Sequence, residues 1–419
     1  MSTLISFGRG AEAGGDHTAA PQGFSTAEPT TRRGTTRASA VFATIGRVAA
    51  KSFLADAEGF ERALAAARAS VGKPAGALLF ASGAAAQAAP RIAEVAAKSL
   101  RGAPFCVVPS AGVITERGEV EAAAAIAGLV WSDGAAKALA FDEGDDAAAA
   151  VAAAFDGKPG TAVLFGASPL AAATLGAARE RAPKVTLLGA GTVGAPAIAC
   201  DEYGQRVRGA LCAGLGLRSL APLVRATSAC RLLSALEPID EVIDGLVTRV
   251  GGVPALDRLS ASATTTTSKG GVAAPHPVVF AALAEADDAE PEASFVVRPL
   301  RGIDPTRRAV MVPEAKVGMK LGFAVRDAAT ARAGLEASGR KLAADATGSA
   351  PRFALLLTCA GRGQGLYGAR DVESRIVRQR FGDLPFAGMH SAFELVPRGA
   401  GAPDLAMYAA LLALFRAPS

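Results

Sequence analysis

The chain has 419 residues with a formal net charge of +5, and 50% of its residues are hydrophobic against 20% charged. This composition excludes a chain that is disordered throughout, and the length predicts two or three domains that each bury a core without disulfides or metals. No apolar run is as long as a membrane-spanning helix, and the basic residues are not interleaved with aromatic ones as in many nucleic-acid-binding modules. We therefore expect neither a membrane span nor a nucleic-acid partner.

Cysteine and histidine usage bears on the compartment and on metal chemistry. The 5 cysteines are scattered without a CxxC pair, and of the 3 histidines His17 lies in the N-terminal tail and His276 between prolines. An odd number of dispersed cysteines is typical of reduced thiols in the cytoplasm. The N-terminus also lacks the charged and then apolar pattern of a secretion signal. We expect a cytoplasmic protein with no cofactor, no disulfide framework and no metal site.

The first half of the sequence predicts a tail followed by an α/β pattern. Residues 1–40 are rich in Gly, Thr, Ala and Pro without periodicity, which indicates disorder. Helices and short apolar strands then alternate. In chain order we predict a strand at 38–48, a helix at 56–71, a strand at 75–81, a helix ending at 100, a strand at 105–108, a helix at 145–155, a strand at 161–165, a helix at 169–181 and a strand at 185–188. The stretches 56–108 and 145–188 share one order of elements, which is compatible with an internal duplication.

The second half continues this pattern after a change of composition. A Ser/Thr-rich run and then an acidic run within 250–293 predict a domain boundary. The further elements are strands at 206–217, 220–227, 294–297, 309–312, 320–326 and 353–358, helices at 254–259, 327–344 and 371–381, and an apolar closing element at 405–415. Asp327 is placed to cap its helix. We predict a tail at 1–40, a first domain at 41–250 and a second at 251–419, each with mixed β-sheets flanked by helices, in the α/β class.

A GxGxxG pattern follows one of the predicted strands, at Gly189, Gly191 and Gly194. A dinucleotide-binding fingerprint requires a helix directly afterwards and an acidic residue about 20 positions later. Pro196 follows the last glycine too closely for such a helix, and no acidic residue occurs between Glu202 and Glu237. We predict a tight turn between strands here.

The segment 353–365 carries the strongest chemical signal. An apolar strand runs into Cys359, Gly361, Arg362 and Gly363. Glycines let backbone N–H groups face a ligand, and an arginine offers a bidentate fork to a carboxylate or phosphate. These residues predict an anion-binding loop. The alternative is an ordinary turn with a small buried cysteine.

The order and spacing of several segments resemble the C-terminal domain of FIST proteins. The segments are 295–304 (FVVRPLRGID), 325–328 (VRDA), 359–363 (CAGRG) and the residues Gly388, Glu394 and Pro397. The N-terminal part is similar to the FIST N-terminal domain at 78–80 (LLF), 110–114 (SAGVI), 188–191 (LGAG) and 209–211 (GAL). The resemblance implies an intracellular sensory module that binds small ligands, amino acids in particular, and that acts on a separate signalling partner. No enzymatic activity is established for the family, so an enzyme is the less expected function.

The resemblance also implies which residues bind the ligand. The positions that fall on the family's motifs are Arg298, Asp304, Arg326, Asp327, Cys359, Gly361, Arg362, Gly363 and Glu394. Because an amino acid needs a cation for its carboxylate and an anion for its ammonium group, Arg362 and Glu394 are the preferred pair and Arg326 and Asp327 come next. For the latter pair the alternative is that Asp327 caps a helix and Arg326 forms a local salt bridge.

Two other functions compete with ligand sensing. A thiol-dependent enzyme would use Cys359 as a nucleophile with a depressed pKa, assisted by His390, which Glu394 could orient if that stretch is helical. A partner-binding scaffold with a degenerate pocket is suggested by departures from the family pattern. Phe393 stands where the family usually has a small residue, the His and Thr of the last strand are absent around Tyr408, and Val108-Pro109 replaces a Gly-Cys pair.

Overall fold

A computed structural model describes residues 50–142, 144–267, 278–286, 295–397 and 403–417 of the chain. The tail predicted at 1–40 and the strand predicted at 38–48 lie outside these residues. The helices described are α1 (Phe60–Val71), α2 (Ala84–Gln87), α3 (Ala89–Ser99), α4 (Gly144–Phe155), α5 (Ala172–Arg181), α6 (Ala255–Thr267), α7 (Ala328–Asp345), α8 (Gln364–Tyr367) and α9 (Val372–Phe381).

The strands run through both halves of the chain. They are β1 (Ala50–Ala55), β2 (Gly76–Ser82), β3 (Phe105–Ser110), β4 (Gly112–Thr115), β5 (Gly118–Glu121), β6 (Ala125–Trp131), β7 (Ala135–Phe141), β8 (Gly160–Gly166), β9 (Val185–Gly191), β10 (Ile198–Cys200), β11 (Cys212–Arg218), β12 (Ala221–Ser228), β13 (Cys230–Leu232), β14 (Glu237–Ile243), β15 (Leu246–Val250), β16 (Val253–Pro254), β17 (Val279–Ala284), β18 (Val296–Pro299), β19 (Gly302–Asp304), β20 (Ala309–Met311), β21 (Lys320–Arg326), β22 (Pro351–Cys359), β23 (Phe386–Ser391), β24 (Glu394–Val396), β25 (Asp404–Ala406) and β26 (Ala409–Arg416). The mixed sheets and their helices confirm the predicted α/β class.

Three of the sheets repeat one arrangement. Their strand orders begin β1-β6-β2-β3, β7-β11-β8-β9 and β12-β26-β22-β23. In each set of four, the third and fourth strands are parallel and are joined through helices, as a parallel pair requires. The second strand runs antiparallel to both of its neighbours. The element order predicted for 56–108 and 145–188 therefore occurs a third time, with α7, β22, α9 and β23.

Each of these sheets is extended beyond its fourth strand by one or two strands from another repeat. The strand that follows β3 in the chain, β4, pairs with β23, and β10, which comes after β9, pairs with β3. β24, which comes after β23, pairs with β9. Strands from both sides of residue 250 thus share two of these three sheets, and the predicted boundary between 41–250 and 251–419 stays a prediction.

The apolar core lies between the three repeated sheets and beneath their helices. In β22, Phe353, Leu355 and Leu357 join a cluster shared by all three sheets, whereas Ala354 and Leu356 pack with α7 and α9. Because both faces are covered, these strands are apolar throughout instead of alternating with polar residues. Burial on both faces also explains why these strands could be predicted from short apolar runs in the sequence.

A fourth sheet is inserted between β12 and α7. Its order is β18-β17-β21-β14-β15-β20-β19, with β13 on β21 and β16 on β15. It has its own apolar cluster, which includes Ile239, Val310 and Phe323. The insertion separates the first strand of the third repeat from the remainder of that repeat.

The predicted cap of α7 is confirmed. The Asp327 carboxylate accepts a hydrogen bond of 2.7 Å from the backbone N–H of Thr330. Because this bond satisfies an otherwise unpaired donor of the first turn, Asp327→Ala should lower the free energy of unfolding by about 1 kcal/mol, as measured by urea denaturation. Asp327→Ser retains a capping oxygen and should cost clearly less, and equal losses in the two variants would contradict the capping role.

Candidate functional site

Buried polar side chains gather where the parallel strands β22 and β23 end. Thr358, Arg362, Glu373, His390 and Glu394 are each exposed by 1% or less. Functional groups often collect at this edge of a sheet, because loops leave the carboxyl ends of parallel strands side by side. We call these five residues the buried polar cluster.

Arg362 and Glu373 form the ion pair of this cluster. The Arg362 Nε donates to Glu373 Oε1 at 2.7 Å, and Nη2 donates to the Tyr367 hydroxyl and to the Ala331 carbonyl, both at 3.2 Å. The Tyr367 hydroxyl donates to the same Glu373 oxygen at 2.7 Å. Although burial opposes ionisation, the Arg362 guanidinium and this hydroxyl hold the pKa of Glu373 below its usual value. The cation predicted to bind a ligand is therefore already paired inside the protein.

Glu394 accepts protons more readily than an ordinary carboxylate. Burial raises its pKa to about 8, against the opposing effect of its hydrogen bonds. The Ser391 Oγ lies 2.6 Å from Glu394 Oε1 and 3.0 Å from the Thr358 carbonyl, and one hydroxyl proton serves only one of these acceptors. A protonated Glu394 that donates to Ser391, which in turn donates to Thr358, satisfies both contacts. At neutral pH Glu394 is therefore mostly uncharged.

The environment of Cys359 contradicts the expected reactive thiol. Its side chain is buried, and burial together with the nearby Glu394 raises its pKa to about 11. A thiol with such a pKa is almost fully protonated at neutral pH and is a poor nucleophile. The expectation of a depressed pKa, which rested on Arg362 and on the N–H groups of the Gly-rich loop, was wrong because burial of the thiol outweighs the lowering effects of Arg362 and of the backbone hydrogen bonds at Gly361 and Tyr408.

The expected orientation of His390 by Glu394 is also wrong. Residues 390 and 394 lie in two strands, β23 and β24, and not in a helix. The imidazole instead faces Glu119, whose Oε2 lies 3.6 Å from the His390 Nε2. Burial favours the neutral imidazole, but the Glu119 carboxylate outweighs this effect and raises the pKa of His390.

Arg326 is the predicted ligand-binding cation that reaches the surface. It is exposed, its Nη1 donates to the Gly361 carbonyl at 3.3 Å, and its guanidinium lies 5.7 Å from the centre of the Tyr408 ring. The partly exposed residues Gly361 and Tyr408 complete this patch, and a Cβ on Gly361 would lie 3.0 Å from the Tyr408 ring. We call Arg326, Gly361 and Tyr408 the Arg326 surface.

The remaining predicted residues have structural contacts. Arg298 donates to Glu314 and to the carbonyls of Val297 and Leu405. Asp304 accepts the backbone N–H of Arg307 in the fourth sheet. The structure thus brings Arg326, Cys359, Gly361, Arg362 and Glu394 to one region, while Arg298 and Asp304 are held by partners of their own.

Glycines 189 and 191 of the GxGxxG pattern serve packing. β9 extends through Gly191 and is followed by β10, so the motif does not lead into a helix. A side chain at Gly189 would collide with the Leu164 backbone, and one at Gly191 would collide with the Phe393 ring. Phe393 is buried in the apolar cluster of α4 and α5.

Three acidic residues of the region were missed from the sequence. Glu119 of β5 accepts the backbone N–H of Ser374 in the first turn of α9, and Glu121 accepts that of Gln364 at the start of α8, each at 2.8 Å. Glu373 is the third. The alternation Glu119-Val120-Glu121 places both glutamates on one face of a strand, which is a usable signal. Their partners follow about 250 positions later, and no local pattern reveals that pairing.

Comparison with known proteins is informative for the C-terminal part. Residues 258–397 match the FIST C domain. This is a sensory type of domain. The FIST N domain was not detected, so the resemblance is confirmed for the C-terminal part alone. The match includes the loop after β22 and Glu394, and it excludes β5 and Tyr408.

Relatives with similar sequences come from mycobacteria. An uncharacterized protein of Mycobacterium bovis is 33% identical over 172 residues, which are 41% of this chain and 44% of the relative. An uncharacterized protein of Mycobacterium tuberculosis is 37% identical over 125 residues, 30% of this chain and 32% of the relative. The chain thus spans less than half the length of these curated relatives.

Two further observations concern the surface. Among the described residues, none of the helices is both long and apolar enough to cross a membrane. A groove of about 970 Å³ lies apart from the buried polar cluster, and its walls include Ala93 and Ala97 of α3 and Tyr203 after β10. The groove contains none of the predicted ligand-binding residues.

Proposed function

We propose that the protein is a ligand-sensing module that binds small carboxylates, amino acids among them, at the Arg326 surface and acts on a separate partner protein. The observation that carries this proposal is the exposed guanidinium of Arg326. Among the described residues its one hydrogen bond goes to the Gly361 carbonyl, and no carboxylate pairs with it. The edge of its fork is therefore available for the bidentate bonds that arginine forms with carboxylates.

The contact with Gly361 connects this surface to the buried polar cluster. Gly361 directly precedes Arg362, which holds Glu373 at the start of α9. A carboxylate that draws Arg326 away from the Gly361 carbonyl changes the contacts of the loop that carries Arg362. This coupling would give ligand binding a consequence at α9, as a sensory module requires.

The test is a thermal-shift screen followed by calorimetry. The panel contains the L-amino acids, acetate and succinate, and a compound at about 100 times its dissociation constant should stabilise the fold by about 2.7 kcal/mol. In Arg326→Gln the dissociation constant of the compound selected should rise about tenfold to a hundredfold, because charge-assisted bonds are lost.

Arg340→Gln is the matched control. Arg340 is also exposed but lies in α7, roughly 18 Å along the helix from its first residue, Ala328, so its replacement should leave the affinity unchanged. Equal affinity in Arg326→Gln and the wild-type protein would contradict the proposed site. A panel without any stabilising compound would favour the partner-binding scaffold instead.

A further inference from the structure

Two carboxylates and an imidazole meet on one face of the third repeated sheet. In the strand register, His390 lies opposite Gly112 and Gly112 lies opposite Glu121, so the three residues form one row across β23, β4 and β5. Glu119 precedes Glu121 by two positions and shares its face. One ligand atom from each of Glu119, Glu121 and His390 lies within 4.8 Å of those of the other two.

Glycines leave the space in which these groups approach one another. A Cβ on Gly112 would lie 2.6 Å from the His390 Cδ2. A Cβ on Gly363, in the loop after β22, would collide with the Glu121 carboxylate. The two glycines, which come from distant parts of the chain, are therefore needed for the same cluster.

His390 is buried without the hydrogen bonds that an imidazole normally makes. It is 1% exposed, and neither ring nitrogen has a hydrogen-bond partner in the described part of the chain. Glu119 Oε2, at 3.6 Å from His390 Nε2, is within ion-pair distance but beyond hydrogen-bond distance. Buried polar groups are nearly always paired, and a ligand between His390 and the two glutamates would give this imidazole its missing partner.

The carboxylates are held in place by bonds that use only one of their oxygens. Glu119 Oε1 accepts the Ser374 N–H and Glu121 Oε1 accepts the Gln364 N–H. The second oxygen of Glu119 is the one that faces His390. Orientation of ligands by outer hydrogen bonds is a usual feature of metal sites.

We infer that Glu119, Glu121 and His390 form a binding site for a divalent transition-metal ion of the Zn²⁺ or Mn²⁺ type. One imidazole nitrogen and two carboxylate oxygens suit such ions, whose bonds of about 2.0–2.2 Å place tetrahedral ligand atoms about 3.4 Å apart. The 3.6 Å between His390 Nε2 and Glu119 Oε2 is close to this spacing. When the ion binds, the imidazole gives up the proton that Glu119 favours, and the two carboxylates with the neutral ring then carry a charge of −2, which the ion balances.

The experiment measures metal binding by the full chain. The protein is stripped with a chelator and titrated with Mn²⁺, followed by the electron paramagnetic resonance of the free ion, and with Zn²⁺ against a chromophoric competitor. Wild-type protein should bind one ion per chain. Glu121→Gln retains an oxygen for the Gln364 N–H and removes the charge, so the dissociation constant should rise at least tenfold.

Glu336→Gln is the control, because Glu336 is an exposed glutamate of α7. It should bind like the wild-type protein, and unchanged thermal midpoints of the stripped variants would show that Glu121→Gln is folded. His390→Gln provides a second variant with the same expected loss. Absence of a bound ion in the wild-type protein, or equal binding by Glu121→Gln, would overturn the inference. Arg326→Gln should bind the metal normally, so the metal-site inference and the proposed carboxylate site are tested independently of each other.

Discussion

Arg362→Met should lower the free energy of unfolding by about 3–5 kcal/mol, because it leaves the fully buried Glu373 carboxylate without its cation. Methionine fills much of the volume of the arginine stem, so the loss reports chiefly on the missing charge. Urea denaturation at neutral pH measures it. The Tyr367 hydroxyl still donates to Glu373 in this variant, but one neutral donor does not replace a guanidinium.

Two controls separate the charge from the packing. The double variant Arg362→Met/Glu373→Gln has no buried charge at this place and should recover most of the loss. Arg225→Ala breaks an ion pair with Asp345 of nearly equal length, 2.8 Å, but with side chains 46% and 41% exposed. It should cost less than about 1 kcal/mol. If Arg362→Met costs no more than Arg225→Ala, the buried pair is not a major contributor to stability.

This ion pair also shows what sequence can and cannot predict about the site. The segment 359–363 was predicted to be a loop after a buried strand, and the exposed Arg375, Arg378 and Arg380 fit the helix predicted at 371–381. The partner of Arg362 was missed, because Glu373 lies in the same helix as these exposed arginines. Nothing in the local sequence distinguishes its buried position from their exposed ones. The path of the chain between β22 and α9 determines which acidic side chain pairs with Arg362.

The fold was predictable to the level of its elements and less so in their assembly. Apolar runs and helical periodicity predicted the repeated order in the first half of the chain. The third repeat was missed because the fourth sheet, formed by residues 230–326, separates β12 from α7. The pairing of β4 with β23 and of β24 with β9 joins strands that are far apart in sequence, and hydrophobic periodicity carries no information on such partners.

The second large effect is expected from pH. In the folded protein Glu394 has a pKa of about 8, whereas its ordinary value is 4.5. Between these values the folded state binds the proton more tightly than the unfolded state, so the free energy of unfolding should fall as the pH rises. One such group contributes a slope of at most about 1.4 kcal/mol per pH unit. Urea denaturation at several values between pH 5 and 8 would measure it.

Glu394→Gln isolates this contribution from the groups around it. The charged and titratable neighbours are Cys359, Arg362 and Glu373, and the nearby His390 adds a slope of the same sign above its ordinary pKa. Glutamine resembles the protonated acid, because its amide N–H can donate to the Ser391 hydroxyl, which still donates to the Thr358 carbonyl. Subtracting the variant's curve therefore removes His390 and leaves Glu394. The free energy of unfolding of the wild-type protein minus that of Glu394→Gln should fall as the pH rises and be smallest at pH 8. If this difference stays constant from pH 5 to 8, Glu394 ionises normally in the folded protein.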